Sequence, residues 1–344
     1  MKHVYFALLL LLLLLWSCNE EKPSRLFTSV AIESIYEDSL NIRALEIIDH
    51  TLAFSANKGF VGTVDLNSGK VFGTNIQYDS IHPEFRSIAH TATDVFVLSA
   101  GNPALLYKTG DNGKFELVYK EEDESVFYDA MTFWNDKEGI AIGDSMEGCL
   151  SIIVTRDGGL TWKKQECSAL PKGIVGEGAF AASNTNIKVI GTKTWVATTH
   201  GRIYYSDDKA NTWTVIPTPV LHAEATQGIY SLDFYNDKIG FAIGGDYTKP
   251  EITKKNKALT VDGGNTWALV ADKAAPGYKS CVQFIPNSKG KGLVAVGFTG
   301  ISYSNDTGAT WTKLSDEGFF TLRFKNDSVA YAAGKGRVSE LIFK

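Results

Sequence analysis

The chain has 344 residues, 44% apolar and 21% charged, a composition that excludes a disordered or collagen-like polymer. Its 34 Lys and Arg against 39 Asp and Glu give a net charge of −5. That argues against a nucleic-acid partner, since polyanion binders are ordinarily basic, and four cysteines are too few for a disulfide scaffold.

At the N-terminus, Lys2 and His3 precede an unbroken, leucine-rich apolar run from Val4 to Trp16. The run suits a signal-peptide core and falls short of the roughly 20 residues that a membrane span takes. It closes on Leu15-Trp16-Ser17-Cys18, which resembles a bacterial lipobox, although Trp16 stands where a small residue is usual. The resemblance implies cleavage before Cys18 and its acylation; the alternative is a plain secretory signal. Residues 1–17 are therefore expected to be removed, 18–25 to form a lipidated polar tether, and 26–344 to form one domain. Loss of Lys2 takes the mature net charge from −5 to −6. Asn19 after the lipid site is compatible with the outer membrane of a Gram-negative cell, on either its periplasmic or its surface side.

Further along, four segments share the pattern Ser/Thr-x-Asp-x-Gly/Ala-x-Thr-Trp: 155–162, 206–213, 260–267 and 304–311, with a degenerate copy at 109–115. Each sits between two strand-like runs, as a hairpin turn would. The carboxylates of Asp157, Asp208, Asp262 and Asp306 can accept hydrogen bonds from turn amides, and Gly supplies the positive φ. Trp162, Trp213, Trp267 and Trp311 then pack between neighbouring sheets. The motif resembles the Asp box of BNR/sialidase-type propellers and is read as structural. A calcium loop of EF-hand type would need further acidic positions and a terminal Glu.

A second repeat counts the blades. The segments 42–48, 85–90, 128–133, 176–182, 229–234, 278–284 and 319–324 align as inner strands, about 40–50 residues apart, the length of a four-stranded blade. One column is small (Ala44, Ser87, Ala130, Ala179, Ser231, Ser280, Thr321) and the next apolar (Leu45, Ile88, Met131, Phe180, Leu232, Cys281, Leu322). Small side chains let inner strands crowd round an axis. The expectation is an all-β, seven-bladed β-propeller. Its last blade has room for three strands after Phe319, and the N-terminal run 26–35 supplies the fourth. Cys149 and Cys167 flank the first turn nearly opposite one another, where an oxidising compartment permits a disulfide; two unpaired thiols are the alternative. The histidines show no metal-ligand spacing.

Together with FRSI (85–88), FYDAMTFW (127–134), GEGAFAAS (176–183), IYSLDF (229–234), GGDYTKP (244–250) and YKSCV (278–282), these features resemble BNR-repeat, YVTN/WD-like propeller lipoproteins of the Bacteroidetes type. That group is related to photosystem II stability/assembly factors. The resemblance implies fold and export. It carries no activity, and no nicotinamide or flavin fingerprint or other cofactor motif is present.

Strand order locates a candidate site. Residues entering the inner strands ring one mouth of the channel: Arg43, Arg86, Asp129, Glu177, Tyr230, Lys279 and Phe320. Asp144, His200, Asp246 and Tyr247 form an outer ring, beside the insertion 246–257. Two readings follow. One is a monomeric binding or assembly module gripping a protein, glycan or small anionic ligand at this mouth. The other is a sialidase-like hydrolase with Arg43 and Arg86 clamping a carboxylate, a Tyr230/Glu177 pair and Asp129 as acid. Sialidases bring a third arginine, and here Arg323 lies too far along its strand while Arg156 and Arg202 belong to outer-strand regions. The non-enzymatic reading is favoured. The bland alternative to both is a solvated rim in which Arg86 pairs with Asp129.

Overall fold

The computed structural model describes residues 26–110 and 113–344. The expected signal peptide, Cys18, the tether, and Asp111 and Asn112 of the degenerate turn lie outside the described residues.

The strands form five four-stranded antiparallel sheets and one seven-stranded sheet, which together make seven blades. The seven-stranded sheet is two blades joined by a single 19-residue strand, Val30–Ile48. From Val30 to Asn41 it pairs with Lys335–Phe343 as the outer strand of the last blade; from Ile42 it pairs with Thr51–Ala56 as the inner strand of the first. The ring is thus closed by the N-terminal run, which extends further than 26–35. Closure leaves only short outer edges. Two of these, Lys163–Lys164 and Ala268–Leu269, are two residues long.

Inner and second strands are buried on both faces, so their sequences read as continuous small and apolar runs rather than alternating ones. Ala44, Ser87, Ala130, Ser231, Ser280 and Thr321 are all essentially inaccessible around the axis. Their apolar neighbours join clusters that bridge adjacent blades.

The four aspartate turns repeat one geometry. Asp157 accepts hydrogen bonds from Thr161 N (3.0 Å) and Thr161 Oγ1 (2.6 Å), and Thr155 Oγ1 accepts from Gly159 N (2.9 Å). Gly159 has φ +80°, and a Cβ there would come within 2.2 Å of the Phe96 ring one blade back, so glycine is required twice over. Trp162 packs on Phe96 and on Phe133 of its own blade. Trp267 similarly meets Phe234, and Trp311 meets Phe241.

Cys149 and Cys167 are joined in a disulfide, with Cα atoms 5.5 Å apart. Cys149 begins the third strand of blade three, and Cys167 opens a short 3₁₀ turn beyond the fourth. Cys281 is free and buried.

One expected strand is corrected. Residues 176–182 form no strand; the inner strand of blade four is Ile187–Ile190. The preceding residues instead run into the central channel and fill it. Asn184, at φ +57°, donates from Nδ2 to Ile88 O (2.7 Å) and accepts from Met131 N (2.9 Å). Ser183 Oγ donates to Ser280 O, Thr185 Oγ1 meets Ser231 Oγ, and Ser183 O accepts from Thr321 Oγ1. The small–apolar pair Ala179-Phe180 imitates the inner-strand columns, but its neighbours bond to five other blades.

Candidate functional site

Strand polarity separates two faces. Inner strands run from the mouth face, where Arg43 and Arg86 begin, to the face carrying the aspartate turns. The plug from Ser183 to Asn186 is buried and closes the channel beneath the mouth. The mouth thus has a sealed floor.

Phe180 leads into the plug and stacks face to face on Tyr230, with centroids 3.7 Å apart and an interplanar angle of 1°. Tyr278 meets Tyr230 edge-on at 4.8 Å, and Phe298 and Tyr247 extend the array at 5.2 and 6.5 Å from Tyr278. Tyr247 and Phe298 are 49% and 46% exposed. The result is an aromatic platform across blades four to six, with two rings open to solvent.

Arginines stand beside it. Arg43 lies 4.2 Å over the Phe320 ring, a cation–π geometry. Among the described residues it has no hydrogen-bond or ion-pair partner. Burial, reinforced by the charge of Arg86, holds its pKa below the ordinary arginine value. Arg86 pairs with Glu84, at 2.6 Å from Nη2, rather than with Asp129 as the bland rim reading supposes. The mouth therefore holds a half-buried guanidinium that, among the described residues, has no carboxylate in ion-pair contact, and desolvation makes this arrangement costly.

The other ring residues have structural commitments. Glu177 is 1% exposed and forms an ion pair with Arg202. It also accepts hydrogen bonds from Thr198 Oγ1 (2.8 Å), Ile174 N (3.1 Å) and Tyr204 OH (3.2 Å). Despite burial, which acts the other way, Arg202 and these donors hold its pKa below the usual glutamate value. Tyr230 donates its hydroxyl to Thr226 O (2.8 Å), and burial raises its pKa. The structure thus does not bring the expected Tyr230/Glu177 pair together. Arg202, assigned from sequence to an outer region, is Glu177's partner. Arg323 bonds Glu46 and the plug carbonyl of Asn184, away from the mouth.

Lys279 is 2% exposed and turned into its own blade, donating to Gly300 O (2.7 Å) and Thr299 Oγ1 (3.1 Å); burial lowers its pKa to about 7. Asp246, 1% exposed, caps its loop by accepting from Thr248 N and Oγ1. His200 is partly exposed, with Nδ1 against Thr199 Oγ1.

Asp129 and Asp144 lie on the paired inner and second strands of blade three, near enough for their charges to act on one another. Asp129 is fully buried and has no cation bound to it; burial first, then the Asp144 charge, raises its pKa well above the usual range. Asp144 accepts from Ala179 N (3.1 Å) and, mainly through burial, is pushed up to about 6. Gly178 allows this contact, because a Cβ there would sit 1.7 Å from Asp144 Oδ1. Asp144 thus fastens the segment that carries Phe180. Among the described residues no group of three or more His, Cys, Asp and Glu is placed to hold a metal ion.

Of the ring expected from sequence, Arg43, Arg86, Tyr230, Tyr247 and Phe320 lie together at the mouth. Sequence reasoning missed Tyr278, Phe298 and the plug. Tyr278 and Phe298 sit at blade-entry and loop positions, where nothing in the local pattern separates a platform ring from a core ring.

No protein-family profile matches the chain, and no curated protein matches it. Solved structures do. A YCF48 bound to a D1 peptide superposes with TM-score 0.66 at 12% identity, covering 94% of this chain and 99% of that one. YCF48 from Cyanidioschyzon merolae gives 0.65 at 13%, covering 92% and 99%. The WD40 repeats of RRP9 give 0.65 at 10%, covering 93% and 100%. At these identities the likeness shows the β-propeller fold.

Proposed function

We propose that this protein is an exported, lipid-anchored binding or assembly module, whose ligand is a peptide segment carrying a carboxylate, received at the arginine and aromatic mouth. The observation that carries the reading is Arg43, packed on Phe320 without a counter-ion beside a second arginine. Two guanidiniums suit a carboxylate, which they can grip bidentately. The exposed rings of Tyr247 and Phe298 offer rigid contact area for the adjoining side chains. A similar propeller that binds a D1 peptide supports the peptide class. Lipobox-like residues before Cys18 and the Asp-box spacing support an exported BNR-type lipoprotein.

Calorimetry on a panel of short peptides, each with a free or an amidated C-terminus and with or without acidic side chains, tests the reading. Arg43→Ala and Arg86→Ala should each weaken the acidic peptides by about 1.5–3 kcal/mol, the range for charge-assisted hydrogen bonds. Amidated peptides without acidic side chains should bind weakly to all variants. Equal affinity of every peptide for the wild type and both variants would refute the proposal. Turnover of aryl glycosides by the wild type would favour the hydrolase instead.

A further inference from the structure

The chain enters the propeller on the face opposite the mouth. In the last blade Val30–Ile48 begins as the outer strand and runs toward the mouth face before entering the first blade at Ile42. Its start therefore lies among the aspartate turns. Phe27 is buried there against Tyr303 and Phe343, with ring centroids 5.1 and 5.3 Å away, and Thr28 N donates to Lys344 O. This fixes the exit point firmly. The residue before it, Leu26, is 62% exposed.

Only seven residues separate Leu26 from Cys18. Even fully extended at about 3.5 Å per residue, that stretch reaches no further than roughly 28 Å from the anchored cysteine. An inner strand of six or seven residues already spans about 20 Å from face to face. Turning the mouth toward the bilayer would require the tether to use about 20 Å of its roughly 28 Å reach climbing the outer side of the last blade. Lying beneath the turns requires no such extension.

Resting on the lipid anchoring proposed above, we infer that the aspartate-turn face seats against the membrane that holds Cys18, and that the mouth faces away from it. The surface chemistry of that face fits a lipid headgroup layer. Leu160 and Val261 stand at the tips of two aspartate turns, 64% and 66% exposed, and Leu26 lies on the same side. Nearby turns carry exposed Lys137 and Lys238 beside exposed Asp136 and Asp237, so those two turns bring no net charge to the seat. Contact is shallow and apolar-tipped, supplied by the tether's proximity rather than by deep insertion. The mouth is then presented to a partner approaching from the aqueous side.

The test uses the full-length chain, processed in cells and reconstituted into phosphatidylcholine vesicles containing a headgroup nitroxide lipid. Single fluorophores are attached at Leu160→Cys and Val261→Cys on the turn face, and, on the mouth face, at Tyr247→Cys and at Val175→Cys, which is 98% exposed in the segment leading from blade three to the plug. The two turn-face probes should be quenched several-fold more than the two mouth-face probes. Equal quenching on both faces, or stronger quenching at the mouth, overturns the orientation while leaving anchoring intact. Mass spectrometry of the same preparation separates the two ideas: a mature chain without lipid overturns the anchoring and this inference with it.

Discussion

Replacing Asp144 by Asn should make the protein more stable near neutral pH while changing little in acid. The Asp144 carboxyl is pushed up to about 6 in the fold, from 3.8 in the open chain. An acid whose folded pKa is raised contributes its stability in full below pH 3.8, and loses it as pH climbs through the folded value. Two pKa units correspond to about 3 kcal/mol, with relaxation of the loop reducing what is realised to about 2–3 kcal/mol. The amide is nearly isosteric and its Oδ1 can still accept from Ala179 N, so the fastening of the Phe180 segment is kept. Denaturant unfolding of wild type and variant at intervals from pH 4 to pH 8 measures the effect. The difference between the two chains cancels the titrating groups that Asp144 does not touch; Asp129, relieved of its neighbour's charge, adds in the same direction. It should move in favour of Asn between pH 4 and pH 7 and level off above. A difference that stays flat, or moves toward the wild type, would show that the carboxyl pair is not the buried, uncompensated arrangement described.

Trp267→Ala should lower stability by about 3–5 kcal/mol, because it empties a site between Phe234 and its neighbours; thermal unfolding checks it, and an unchanged Tm refutes it. Breaking the Cys149–Cys167 link with a double Ser variant should cost about 3 kcal/mol, as expected for a closed loop of this length. Wild type in reductant should then unfold at the same denaturant concentration as the variant, and no shift in either would refute the prediction. Glu177→Gln leaves Arg202 beside an uncharged partner at a buried site and should cost about 3–5 kcal/mol of stability. Peptide affinity measured on the remaining folded variant should be nearly unchanged, and its selective loss would move Glu177 into the binding machinery.

Much of this fold was readable because a propeller repeats itself. The small column from Ala44 to Thr321 and the turn tryptophans each recur in blades that solve the same packing problem, so periodicity reports blade number. The fourth blade defeated that logic for a physical reason. Ala179-Phe180 has the right local pattern, yet Asn184 four residues on finds its partners on Ile88 and Met131, far away in the chain. Local pattern cannot reveal such contacts. The site was legible in part for the same reason. Strand order put Arg43 and Arg86 at the mouth, but the ion pair of Glu177 with Arg202 and the turning of Lys279 toward Gly300 depend on side-chain direction. Charge at a strand entry therefore marked the mouth without telling which side chains are free and which are committed to structural bonds.

Whether the sealed mouth receives a carboxylate-bearing peptide is decided by a crystal structure of the complex with the tightest-binding acidic peptide. Density is expected over the plug, with the carboxylate against the guanidiniums of Arg43 and Arg86 and the peptide chain crossing Tyr247 and Phe298. Peptide density on the aspartate-turn face or along an outer blade edge, with Arg43 still lacking a counter-ion, would contradict it.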